Sequence, residues 1–459
     1  MCGIFFAHSN NQNTLAAIKD NLTAVEYTLR FRGPDATNVF EMDHTIAMHT
    51  ILSITGDGKQ PFALPDGYGL YNGEIYNDWQ NYSPSYSDSD YLQRRLKEDG
   101  MDCLHGLDGE FAIILYNQAR NTVTFVTDYF TTKPLYYAIH DGALVAGSYD
   151  VTCTAALPSA KPLQLNANTI LTISLVDYSI ISEETLHHFD FENANTDHYD
   201  DFTKAFQKAI QKRSKTAQHP IFVPLSSGHD SGLIAAELMH QGVKFASYAM
   251  PYGEKAEILA ARKALMAEQG LDFVELDPSP AEWDAFEAEV KQDAPYYAIE
   301  YAGTPDVKYP DPDVRTIGGF LGSAYISKLA KSNGQLILMS GQGADEIISD
   351  YYNEFSNSRR SCLKGDWTKA NKPWVNFNAG WNQVLLGGNE RMNGHFGVES
   401  RYPFLDRDLI QAFLNLTPEL KGKRYKAPIT QMLDQLNYPY HDYKIGFYGF
   451  DQNARKASA

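Results

Sequence analysis

The hydrophobic rhythm of this 459-residue sequence changes once, near residue 190, and that change limits what the chain can fold into. Before it, short β-type runs alternate with turns: "GIFFAHS", "TIAMHTILSI", "YGLYNGEIYN", "GEFAIILYN", "NTVTFVTDY", "GALVAGS" and "NTILTISL". Two stretches in this half, "NLTAVEYTLRF" and "SDSDYLQRRLKED", are the helical candidates. Turns such as "NQARNT" between the runs predict a layered α+β domain over 1–190 with much antiparallel sheet. The polar, acidic stretch "HFDFENANTDHYD" is expected to be an interdomain linker. After it, strands ("IFVPLS", "KFASYAM", "DFVEL", "QLILMS") alternate with helices ("DDFTKAFQKAIQKRSK", "EKAEILAARKALMAEQG", "LGSAYISKLAKSNG"). That order predicts a parallel, doubly wound α/β sheet in a second domain over 201–459.

Bulk properties narrow the function. Net charge is −18 and no Lys/Arg-rich block occurs, so nucleic acid is not an expected partner. No apolar run is long enough to span a bilayer, and no basic segment precedes an apolar one at the N-terminus. A cytoplasmic protein without a membrane segment is expected. Cys2, Cys103, Cys153 and Cys362 lie far apart, which argues against a zinc ribbon or a disulfide framework.

Two loops carry chemistry. "VPLSSGHDSGL" (223–233) is an apolar strand running into a tight turn of hydroxyls, glycine and a carboxylate. Backbone N–H groups at such a strand-to-helix turn, with the helix N-terminus behind them, can cradle phosphate. Its plainer reading is a turn with Ser226 or Asp230 as helix N-cap. "LMSGQGADEIISDYY" is a second Gly-rich turn, whose plainer reading is the start of a helix near Ala344. Two hard oxygen ligands at two strand ends, Asp230 and Asp345, would suit Mg²⁺.

The N-terminus offers another site. In "MCGIFF", removal of Met1 would leave Cys2 with both a thiol and a free α-amine. An amine with pKa ~8 can take the thiol proton, making one residue nucleophile and base. Position alone favours a small residue at a frayed end. The surrounding sequence changes that balance.

"FRGPDA", "YNGEIYN", "SDSD", "LDGEFAIILYN" and "KPLYY", in that order, resemble the glutaminase domain of class II, N-terminal-nucleophile amidotransferases. "VPLSSGHDSGL", "LMSGQGADE", "GVESRYPFLDRDLI" and "YKIGF" resemble the asparagine synthetase family of ATP pyrophosphatases. The resemblance implies an αββα sandwich of N-terminal-nucleophile type followed by a parallel-sheet domain of the adenine nucleotide alpha hydrolase type. It implies glutamine hydrolysis at Cys2, with Asn72 and Gly73 as oxyanion hole and Asp88 holding the substrate's α-ammonium. It also implies ATP binding by Leu225, Ser226, Gly228, Asp230, Ser231, Ser340 and Gly341, and Mg²⁺ at Asp230 and Asp345. Lys444 would face the pyrophosphate, and Glu399 and Arg401 would make structural contacts. The activity implied is amidation of an adenylated carboxylate, with aspartate as first candidate and small molecules as the partners; a homodimer is left open.

Three positions depart from the family pattern. Ile51 stands where an arginine usually pairs with the glutamine carboxylate, and Arg32 or Lys59 are the candidate substitutes. Ser227 replaces a glycine of the first loop, adding a Cβ that would crowd a phosphate or a hydroxyl that would bind one. Gln342 stands where asparagine-forming members often carry glutamate, and it cannot act as a base. Two further readings follow: a different carboxylate acceptor (sugar, nucleobase or peptide), or a degenerate nucleotide-binding regulator.

Overall fold

The computed structural model describes residues 2–55, 58, 60–83, 87–294, 296–297, 313–352, 360–441, 447 and 449–450. The chain divides into two compact units, Met1–His188 and Phe189–Ala459.

In the first unit, strand Gly3–Ser9 is buried at every position, so both its faces are covered. Ile4 and Phe6 point into a core between two six-stranded sheets, where they meet Leu70, Ile114, Phe125 and Leu171 of the second sheet. Phe5 and Ala7 face the other way, onto Leu15, Ile18, Val25 and Leu29 of helices Gln12–Asp20 and Leu22–Leu29. Helix Asp88–Asp99 covers the far side, burying Leu92 and Leu96 and packing on strands Phe62–Leu64 and Gly67–Ile75. The layers are therefore helix, sheet, sheet, helix, the expected αββα arrangement.

The strongly apolar runs all form strands. Among those that patterning does not reveal, Ala36–Met42 and Leu163–Gln164 are the edges of one sheet, and Phe62–Leu64 and Ile180–Thr185 the edges of the other. An edge strand is short or half solvated and so lacks a full apolar signature. Tyr136–His140 and helix Gln12–Asp20 are also additions to the expected elements.

The second unit holds a five-stranded, wholly parallel sheet. Its spatial order is Asp272–Glu275, Phe245–Ala249, Ile221–Pro224, Ile337–Met339, Glu399–Arg401. Helices Pro280–Asp293, Gly318–Ser332 and Gly380–His395 bury Trp283, Phe286, Phe320, Ala324 and Trp381 against Phe222, Tyr248 and Leu338. The strand order reverses direction between Ile221–Pro224 and Ile337–Met339. In open parallel sheets such a reversal opens a crevice beyond the carboxyl ends of the strands. The two loops singled out by sequence leave from the carboxyl ends of these two strands.

The stretch 188–200 does not behave as a linker. Phe189 and Phe191 each pack edge-on against Phe377, and Thr196 N–H donates to the Asn415 carbonyl at 2.8 Å. Tyr199 Oη adds a bond to the Leu420 carbonyl at 2.8 Å, so aromatic side chains in a mostly polar run anchor it to the second unit.

Glu399 and Arg401 do make structural contacts. The Arg401 side chain is fully buried; its Nε donates to Glu399 Oε1 at 2.8 Å, and its Nη1 to the Arg213 carbonyl at 2.6 Å and Thr216 Oγ1 at 2.9 Å. Beside it, Asp406 takes Lys212 Nζ at 2.5 Å and Arg213 Nη1 at 2.8 Å, all three side chains at most 2 % exposed. Burial opposes ionisation of Asp406, but Lys212 and Arg213 outweigh it and hold the carboxyl well below the usual carboxylate range. Breaking such a pair leaves buried charge uncompensated, so Asp406→Asn is expected to cost ~3–5 kcal/mol in urea unfolding. Because the folded-state pKa is depressed, this contribution is present above pH ~4 and is lost as pH falls below that. The urea midpoint of the wild type should therefore drop more steeply below pH ~4 than that of Asp406→Asn.

Candidate active sites

In the first unit, Cys2 immediately precedes the central strand Gly3–Ser9. Its backbone N–H donates to Asn72 Oδ1 at 3.0 Å, joining the first sheet to strand Gly67–Ile75 of the second. That bond fixes the Asn72 amide and leaves Nδ2 buried with no partner. A buried amide donor held without an acceptor is what a developing oxyanion requires. Gly73 follows with φ +139°, and a Cβ there would lie 1.9 Å from the Glu110 carbonyl oxygen, so no other residue fits. Asp88 opens helix Asp88–Asp99, and its Oδ2 accepts from Tyr71 Oη at 2.5 Å and from Ile75 N–H at 3.1 Å.

Arg32, a candidate substitute for the arginine missing at Ile51, reaches the Cys2 backbone. It is 1 % exposed; its Nε donates to the Cys2 carbonyl at 2.6 Å and its Nη1 to Tyr149 Oη at 2.9 Å. It braces the Cys2 backbone. Lys59, the other candidate substitute, lies outside the described residues. Glu74 was not singled out from sequence, although it sits inside "NGEIYN". It is 2 % exposed and accepts from Thr55 Oγ1 at 2.5 Å, tying the loop after Ile51 to strand Gly67–Ile75.

In the second unit, Leu225 continues strand Ile221–Pro224, its N–H donating to the Tyr248 carbonyl at 2.8 Å. The loop then closes on its own hydroxyls. Ser226 N–H and Ser226 Oγ meet Ser231 Oγ at 3.1 and 2.9 Å, and Gly228 N–H donates to Ser226 Oγ at 3.1 Å. Helix His229–His240 starts after Gly228 with no side-chain cap, so neither Ser226 nor Asp230 is an N-cap. Ser227 neither crowds nor contacts the cleft. It is fully buried, its hydroxyl and N–H both donating to Glu254 Oε2, the latter at 2.6 Å. Burial raises the pKa of Glu254, and these donors partly oppose that. From behind, Arg262 donates to the Ser226 carbonyl, to the Gly228 carbonyl at 2.9 Å and to the Pro439 carbonyl at 2.8 Å. Sequence reasoning missed Glu254 and Arg262, neither of which lies in a recognisable motif.

The second loop leaves strand Ile337–Met339 with Ser340 N–H donating to the Arg401 carbonyl at 2.9 Å. Gly343 has φ +99° and begins a tight π-helical turn, Ala344–Ile348, rather than an α-helix. The two loops touch: a Cβ on Gly341 would lie 2.8 Å from Asp230 Cβ. Asp230 and Asp345 converge on one point, and a lysine occupies it. Lys426 Nζ lies 2.5 and 2.7 Å from the two Asp230 oxygens and 2.7 Å from Asp345 Oδ1. Burial disfavours the charge of Lys426, but the two aspartates outweigh it and raise its pKa well above the ordinary value. Tyr425 Oη lies 3.3 Å from Asp345 Oδ1. His229 packs between the Tyr425 and Tyr440 rings; burial first, then Lys426 and Arg262, push its pKa down to about 3, so it is neutral.

Two carboxylates that already gather a cation supply the hard oxygen donors Mg²⁺ takes, so the residues fit that ion. Lys426 was not expected there. Lys444 lies outside the described residues.

The glutamine amidotransferase domain family matches residues 1–205 and the asparagine synthase family residues 351–439. A probable glutamine-hydrolysing asparagine synthetase of Schizosaccharomyces pombe is 27% identical, covering 95% of this chain and 80% of that one. Those of Rattus norvegicus and Saccharomyces cerevisiae are each 25% identical over 92% of this chain, covering 78% and 77% of their own lengths. A glutamine PRPP amidotransferase structure from B. subtilis is a loose likeness, with TM-score 0.32, 13% identity and coverage of 74% of this chain and 82% of that one. Both domain matches occur in order, and the chain is similar over most of its length to glutamine-hydrolysing asparagine synthetases.

Proposed function

We propose that the chain hydrolyses glutamine at Cys2 and uses the ammonia to amidate a carboxylate activated with ATP, aspartate being the first candidate acceptor. The observation that carries this reading is the convergence of Asp230 and Asp345, from the ends of neighbouring parallel strands, on a single cation position.

In the glutaminase half, loss of Met1 converts the Cys2 backbone nitrogen into an α-amine beside Asn72 Oδ1. The amine takes the thiol proton and the sulfur attacks the side-chain amide carbon of glutamine. The resulting oxyanion is held by Asn72 Nδ2 and the Gly73 N–H, and Asp88 takes the substrate's α-ammonium. The proton passes to the departing nitrogen, ammonia leaves, and water hydrolyses the thioester to glutamate.

In the synthetase half, the acceptor carboxylate attacks the α-phosphate of ATP and pyrophosphate leaves. Ammonia then attacks the acyl carbon, forming the carboxamide and releasing AMP. Ser226, Gly228, Ser231, Ser340 and Gly341 line the phosphate cleft. Mg²⁺ held by Asp230 and Asp345 would supply countercharge for the leaving group. No helix among the described residues is long and apolar enough to cross a membrane, which agrees with a cytoplasmic site of action.

Gln342 favours a second reading in which the acceptor is another carboxylate. Its Nε2 is buried with no partner, a neutral donor where a base is usual in asparagine-forming relatives. Pyrophosphate exchange across a panel of carboxylic acids separates the two: exchange with aspartate alone would remove the second.

Cys2→Ala should abolish glutamine-dependent AMP formation and spare AMP formation driven by ammonium; equal loss of both would contradict the two-site scheme. Asn72→Ala should lower kcat for glutamine hydrolysis roughly 10²–10³-fold, as measured by glutamate release, with ammonium-driven turnover retained.

A further inference from the structure

We infer that Lys426 closes the divalent-cation position between Asp230 and Asp345, so that a metal ion enters this chain with nucleotide and not alone. The inference rests on the reading of Asp230 and Asp345 given under Proposed function.

Sterics come first. The ammonium sits 2.5–2.7 Å from three carboxylate oxygens. A cation of Mg²⁺ size needs those oxygens at ~2.0–2.1 Å. Both cannot occupy one point, so metal binding requires the lysine head to leave.

The side chain has nowhere neutral to go. It is 2 % exposed. Its backbone is pinned: Lys426 adopts φ +48°, and its carbonyl accepts from Thr430 N–H at 2.9 Å at the start of helix Ala427–Gln435. Displacement is thus a side-chain movement within a closed space. Tyr425 walls one side, its ring centroid 5.3 Å from the ammonium, and Arg262 adds a second, fully buried cation behind the loop.

Electrostatics then couple the two ligands. The aspartates carry two negative charges, and Lys426 neutralises one. A bare divalent ion would replace it and leave a buried ammonium unpaired beside a doubly charged cation, an arrangement costing several kcal/mol. A triphosphate arriving with the metal supplies new oxygens for the displaced ammonium. Metal and nucleotide therefore bind with positive coupling, and each raises the affinity for the other by the same factor.

Mn²⁺ binding to the full-length chain, followed by electron paramagnetic resonance, tests this, with Asp230→Asn as the control that identifies the site. Wild type with Mn²⁺ alone should bind no more ion than Asp230→Asn, whereas Mn²⁺ with ATP should occupy the site. Lys426→Met should bind Mn²⁺ without nucleotide at least tenfold more tightly than wild type, ~1.4 kcal/mol. Should Lys426→Met fail to fold by circular dichroism, Lys426→Gln carries the same expectation, and the wild-type arms stand without either. Wild-type binding of Mn²⁺ alone that Asp230→Asn abolishes would overturn the inference while leaving the proposed function intact. Failure of Mn²⁺ with ATP to bind would overturn both.

Discussion

Two carboxylates cannot be held around one point in a half-buried cleft without a cation between them, and in this chain the cation is Lys426. Its three contacts tie the loop after strand Ile221–Pro224, the loop after Ile337–Met339 and the start of helix Ala427–Gln435 into one knot. The strand order of the sheet makes that knot feasible, since the reversal between these two strands brings their carboxyl ends side by side. Arg262 and Glu254 complete the frame from behind. Arg262 collects the carbonyls of Ser226 and Gly228, and Glu254 takes the N–H and hydroxyl of Ser227.

The glutaminase unit uses a similar economy with a single hydrogen bond. Cys2 N–H to Asn72 Oδ1 crosses between the two sheets and leaves the other end of the same amide unsatisfied in the core. An unpaired buried donor is costly in a resting protein. Here it belongs to the amide that holds the Cys2 N–H, beside the proposed nucleophile. Arg32, at the back of Cys2, holds the carbonyl of the nucleophile rather than a ligand.

Departures from a family pattern have different meanings once the surroundings are visible. Ser227 is a compensated change, because Glu254 receives the groups that a glycine would not have presented or would have left open. Near Ile51, the candidate substitute Arg32 donates to the Cys2 carbonyl and to Tyr149. Gln342 changes the chemistry available at the loop without disturbing its backbone, for its N–H still donates to Ser340 Oγ at 3.2 Å.

Periodicity and motif order were enough to anticipate the layer type of each half, the strongly apolar strands and the two loops that bring Asp230 and Asp345 together. Those features depend on local composition: a strand covered on both faces must be apolar throughout, and a Gly- and Ser-rich turn after such a strand announces itself. The edge strands Ala36–Met42 and Ile180–Thr185 carry no such mark, since one side of each meets water. The anchoring of 188–200 through Phe189 and Phe191 was equally hidden. Only the tertiary structure could place Lys426, Arg262 and Glu254 in the nucleotide cleft, because each reaches it across at least 27 residues of sequence and is chosen by charge balance in a buried space. Local sequence records which groups can do chemistry; the packed fold decides which opposite charge stands against them.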